Sequence, residues 1–164
     1  MREVIPPTAV MGFGNPVRSD DGIGIEVIRQ LREKYTGQDI PVTFFDMGAS
    51  AFEVLFQLKG HQRIFMIDAV VNSGDPAGTL YQVPADKIAR APEEDPLVFL
   101  HGMKWDQCLS YAHKILGADY PDDIQVFLIA VDDTRLAEGL SPVVKEAGEQ
   151  VIGHIEKALW KQFA

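Results

Sequence analysis

The stretch Gly12-Phe-Gly-Asn-Pro-Val-Arg-Ser-Asp-Asp-Gly-Ile-Gly24 decides the fold of this chain. The apolar run Thr8-Ala-Val-Met-Gly-Phe13 in front of it reads as a buried strand, and the residues behind it carry helical periodicity through Val27, Ile28, Leu31 and Tyr35. A glycine turn between a strand and a helix is the junction where open α/β sheets place their chemistry. Asp20 and Asp21 fall at the start of that helix, where a carboxylate accepts unpaired N–H groups and meets the positive end of the helix dipole. One Asp suffices for a cap. The second is expected to point into the crevice above the sheet.

Working outward, further apolar runs stop at polar or acidic residues: Val42 to Phe45 at Asp46, Arg63 to Ile67 at Asp68, and Ile124 to Val131 at Asp132. Helical segments are expected between them at about 20–36, 49–59 and 103–116, closed by Gly37, Gly60 and Gly117, and a last one at 142–160. Ser141-Pro142 starts the last helix, with Ser at the cap and Pro at its first position, and Val144, Ala147, Val151, Ile155 and Leu159 form its buried stripe. Gly78 to Val83 follows Asp68 too closely for a helical crossover and reads as an antiparallel edge strand. The fold class is therefore α/β, a three-layer α/β/α sandwich on a mostly parallel five-stranded sheet with an antiparallel edge. Residues 84–100, with three prolines and the run Glu93-Glu94-Asp95, read as an excursion rather than a linker.

The 164 residues are expected to form a single domain, 1–164. Lys plus Arg number 15 against 24 for Asp plus Glu, a net charge of −9, which argues against nucleic acid or an anionic membrane as partner. A lone cysteine, Cys108, excludes an internal disulfide and a thiolate cage; among Trp105, Leu109, Ala112 and Leu116 it reads as core filler. Neither a signal peptide nor a membrane-length apolar run is present, so a cytoplasmic location is expected.

Parallel strands would gather Asp21, Asp46, Asp68 and Asp132 at the carboxyl edge of the sheet. Converging acids repel one another unless a cation or shared protons intervene. Asp68 ends what should be a central strand, and His101 follows the apolar run Leu97 to Leu100. Two carboxylates and one imidazole form a donor set suited to a divalent transition metal with open coordination positions. The competing role for Asp68 is to cap its own turn. His61, His113 and His154 lie in or beside helices without acidic partners and are assigned to packing or surface. A dinucleotide fingerprint is disfavoured, because Val17 replaces its third glycine and Pro16 removes an N–H from the turn.

In this order, GFGNPVRSDDGIG, FFDMGAS, IFMIDAV, the lone His101 and EGLSP resemble the motifs of the hydrogenase maturation proteases, endopeptidases that trim the C-terminus of the large subunit of nickel-iron hydrogenases. The resemblance implies that Asp21, Asp68 and His101 are at once the catalytic residues and the metal ligands, and that Asn15, Asp46 and Gly48 position substrate. It further implies a nickel-iron hydrogenase large-subunit precursor as partner, Ni2+ presented by that precursor, a site that Zn2+ or Cd2+ can also occupy, and a monomeric enzyme. Residues Asp46 to Ser50 end in Ala-Ser where relatives carry Gly-Thr. Hydrolysis by a carboxylate base and hydrolysis by a polarising metal both remain open. A nickel-sensing chaperone and a metal-dependent hydrolase of small molecules are the alternatives.

Overall fold

The computed structural model describes residues 5–50, 53–87, 105–132 and 134–160. Its sheet has the strands β1 (Thr8–Phe13), β2 (Val42–Gly48), β3 (Arg63–Val70), β4 (Leu80–Pro84) and β5 (Asp123–Ala130), in the spatial order β2-β1-β3-β5-β4. All neighbours run parallel except β4, which lies antiparallel on β5 at the edge, as the short Asp68-to-Gly78 spacing requires. Helices α1 (Ile23–Lys34) and α4 (Pro142–Leu159) cover one face, and α2 (Val54–Gln57) and α3 (Trp105–Leu116) the other.

Strict alternation along the strands splits the core into two layers. Ala9, Met11, Ile64, Met66 and Val126 pack with Leu58 and with Cys108, Leu109 and Ala112 of α3. Val10, Phe65, Ile67, Phe127 and Ile129 pack on the other side against Val27, Ile28 and Leu31 of α1 and the expected α4 stripe of Val144, Ala147, Val151, Ile155 and Leu159. The lone cysteine is filler, and His113 and His154 pack edge-on and stacked against Tyr120 and Phe127.

Several boundaries differ from expectation for identifiable reasons. The segment expected to be helical from residue 20 opens instead with a 3-10 turn, Ser19–Gly22, because Ser19 (φ 52°) is held in a left-handed conformation, and regular helix begins at Ile23. The helix expected over 49–59 reduces, among the described residues, to the single turn Val54–Gln57. β2 runs on to Gly48, whose φ of 55° lets its carbonyl accept the N–H of Gly14 at 2.9 Å. β3 runs on to Val70 because Asp68, Ala69 and Val70 continue to pair with Leu128, Ile129 and Ala130 of β5.

The ends of α1 and α4 are joined by a polar clamp in which the Glu156 carboxylate accepts from Lys34 Nζ at 2.6 Å and from the Tyr35 hydroxyl. Burial alone would push the Glu156 carboxyl up, but the hydrogen bonds from Lys34 and Tyr35 and the Lys34 charge together hold it below its ordinary value. A depressed carboxylate contributes stability above its unfolded pKa, and that contribution is lost as pH falls through the folded value. The melting-temperature gap between wild type and Glu156→Gln is therefore expected to shrink between about pH 7 and about pH 3; a gap independent of pH would mean that the clamp does not depend on the charge.

Candidate active site

β1 is the strand at which the chain reverses its direction of growth, since β2 lies on one side of it and β3 on the other. In open α/β sheets, the crevice beyond the carboxyl ends of two such strands is where ligands bind. The Gly12–Gly24 loop closes over this point with almost no spare room. A Cβ on Gly24 would lie 2.3 Å from the Phe13 carbonyl oxygen and 2.6 Å from that of Ile67, and one on Gly12 would lie 2.3 Å from the Gly24 carbonyl oxygen. The start of α1 thus rests directly on the ends of β1 and β3.

The two adjacent aspartates have separate tasks. Asp20 is 2% exposed and does not cap α1; its Oδ1 accepts the Ser141 N–H at 2.6 Å and its Oδ2 accepts the Ser141 hydroxyl at 2.8 Å. Ser141 stands at the N-cap position of α4, but its hydroxyl donates to Asp20 instead of accepting a helix N–H. The same segment straps the loop elsewhere: Ser19 N–H bonds the Ala137 carbonyl at 2.8 Å, Ser19 Oγ the Arg135 carbonyl at 2.9 Å, and Ala137 N–H the Val17 carbonyl at 2.9 Å. Asp21, only partly buried, turns back on its own loop, its Oδ2 accepting the Asn15 N–H at 3.0 Å. Asn15 Oδ1 in turn accepts the Val17 N–H at 3.1 Å.

The 3-10 turn that carries Asp21 packs against β3, which carries Asp68. Asp68 does not end its strand. It sits one residue past Ile67, the last β3 residue that pairs with β1, so β5 continues beside it while β1 has already turned away. Its Oδ1 accepts the N–H of Ala69 at 2.8 Å, the local contact foreseen as its competing role, and its Oδ2 accepts Trp105 Nε1–H at 2.8 Å. Trp105 was expected only as part of an apolar helix face, and nothing in the spacing of the chain signals this bond.

Asp46 lies on a different side of the sheet. Phe45 and Met47 of β2 join the layer beneath α3, which also contains Met66, the near neighbour of Asp68 on the same strand face. Alternation therefore turns Asp46 toward α1, where it is exposed and its Oδ1 accepts the Gly48 N–H at 3.0 Å. There it borders a cavity of about 650 Å³ whose walls include Pro16, Gly22, Arg29, Arg32 and Lys145. Arg29 is already paired with Glu26 and Glu33, and Arg32 with the Phe44 carbonyl. Asp132 follows β5 at the same sheet edge and is exposed. His61 lies away from this edge, with its Nδ1 2.8 Å from the Gln57 carbonyl. His101 lies outside the described residues, and among those described no three His, Cys, Asp or Glu side chains form a group that could hold an ion.

Residues 25–158 match the family model of the hydrogenase maturation proteases. The chain belongs to this family. It is 24% identical over 155 residues to the hydrogenase 2 maturation protease of Escherichia coli K12, covering 92% of this chain and 88% of that protein. It is 31% identical over 147 residues to the coenzyme F420 hydrogenase subunit delta of Methanothermobacter thermautotrophicus, covering 84% and 85%. Among solved structures, the hydrogenase maturating endopeptidase HybD of E. coli superposes with a TM-score of 0.77 at 20% identity, over 94% of this chain and 93% of that one. The NiFe hydrogenase maturation protease HybD of Thermococcus kodakarensis gives 0.69 at 20% identity, over 93% and 98%. The protease thus shares the mostly parallel sheet, with its antiparallel edge, of these structures.

Proposed function

We propose that this protease removes the C-terminal extension of a nickel-iron hydrogenase large-subunit precursor once nickel has been inserted, and that it does so as a monomer in the cytoplasm. The observation that carries the reading is that the 3-10 turn bearing Asp21 packs against β3, the strand bearing Asp68, in a chain whose residues 25–158 match the maturation proteases. No helix among the described residues is long and apolar enough to cross a membrane, which accords with the proposed location.

In this reading the nickel belongs to the substrate. A carboxylate oxygen that accepts an N–H can also bind a cation. Asp21 and Asp68 are the carboxylates assigned to that cation, with His101 completing the set by resemblance. Binding the cation fixes the scissile peptide against the crevice and lowers the barrier by positioning. Asn15 and Gly48, whose backbone groups frame the opening loop, and Asp46 at the edge of the neighbouring cavity guide the peptide on the α1 side. A carboxylate of the pair takes the proton from the attacking water as general base. Zn2+ or Cd2+ would fit the same oxygen and nitrogen donors.

An incomplete donor set makes cleavage depend on what the precursor brings. Protease treated with chelator and then freed of it is expected to cut nickel-loaded precursor normally and nickel-free precursor poorly, read as shortened product by mass spectrometry. Equal cleavage of both would overturn nickel recognition, and no cleavage of either would favour a chaperone. Exchanging the precursor's nickel for zinc is expected to change KM more than kcat; a dominant change in kcat would move the chemistry from the carboxylate to the metal.

A further inference from the structure

We propose that Trp105 is a positioning residue of this site, and that its indole N–H fixes the Asp68 carboxylate in the orientation that meets the incoming cation. The inference rests on the reading of Asp68 given above. A carboxylate's terminal torsion is broad and roughly two-fold, so one contact leaves its plane free to swing. Asp68 has a donor on each oxygen, Ala69 N–H on Oδ1 and Trp105 Nε1–H on Oδ2, both at 2.8 Å. Together they set the plane of the group.

The indole suits this task chemically. It donates and cannot accept, so it orients Asp68 without competing for the cation. Its own position is set from two sides. Trp105 is the first described residue of α3, and its ring lies against Phe13, the buried last residue of β1, with centroids 6.0 Å apart and planes inclined at 31°. Phe13 immediately precedes Gly14 of the opening loop, so the end of β1, the indole and Asp68 form one packed series. Groups that orient a metal-binding side chain from behind typically affect affinity or activity by about 10- to 100-fold when removed.

Trp105→Phe keeps a ring against Phe13 and deletes the donor. It is expected to lower kcat/KM on nickel-loaded precursor by about 10- to 100-fold while the melting temperature stays close to wild type. If Phe lowers the melt, the sulfur isostere of tryptophan at position 105 removes the N–H alone and is expected to give the same kinetic loss. A second readout needs no precursor. The chain has two tryptophans, and in Trp160→Phe protein Trp105 is the only tryptophan, excited selectively at the red edge of the absorption band. Millimolar Ni2+ added alone is expected to quench it, and Asp68→Asn in the same background to abolish the quenching. Wild-type kinetics with the isostere, or quenching unaffected by Asp68→Asn, would overturn the role of Trp105. Should Asp68→Asn itself cleave normally, the reading of the site fails first.

Discussion

Asp21→Asn and Asp68→Asn are each expected to reduce processing of nickel-loaded precursor by at least about 10²-fold, the range associated with losing a positioned acid–base group. His101→Ala, assigned by resemblance, is expected to do the same. The two carboxylate variants should differ in stability, and that difference guards against a folding artefact. Asparagine at position 21 still offers a carbonyl oxygen to the Asn15 N–H, so its melt should match wild type. At position 68 an amide has only one oxygen for the two N–H donors of Ala69 and Trp105, and its NH2 must face one of them, at a cost of about 1 kcal/mol. Processing lost together with a large collapse in stability at both positions would return these residues to a structural role.

The second large effect lies in the glycines beneath the loop. Gly24→Ala places a methyl group 2.3 Å and 2.6 Å from two backbone oxygens that belong to different strands, so no side-chain adjustment relieves the clash. A loss of about 3 kcal/mol or more is expected, a large share of a typical domain's stability. Gly153→Ala is the matched control. It lies inside α4 with nothing within 4 Å of a new Cβ, and there alanine should stabilise by about 0.5–1 kcal/mol. Urea midpoints for the two variants should therefore move in opposite directions. A Gly24→Ala midpoint equal to wild type would contradict the close seat of α1 on the sheet.

Local pattern carried most of the architecture, because buried parallel strands are short apolar runs and surface helices repeat at about 3.6 residues. The edge strand was legible from the Asp68-to-Gly78 spacing, and the α4 stripe from its period. What stayed hidden depends on partners far away in the chain. Nothing near Asp20 distinguishes it from Asp21; only the contact with Ser141, 121 residues on, makes Asp20 a brace. Trp105 looked like one more apolar residue because its bond to Asp68 spans 37 positions. In sequence Asp68 reads as the end of β3, whereas pairing with β5 carries the strand past it to Val70. One distinction was within reach: the even–odd alternation of β2, with Phe45 and Met47 facing inward, already places Asp46 on the other face.

The strap between residues 17–20 and 135–141 also bears on time. Its hydrogen bonds join positions 116 and 121 apart, among the most distant pairings in the molecule. Contacts of such separation form late, after the intervening loop closure has become affordable in entropy. During synthesis, a chain that has not yet released its last helix therefore carries Asp21 on an opening loop that lacks this tether. The opening loop is therefore expected to gain its tether only once residues 135–141 have folded against it.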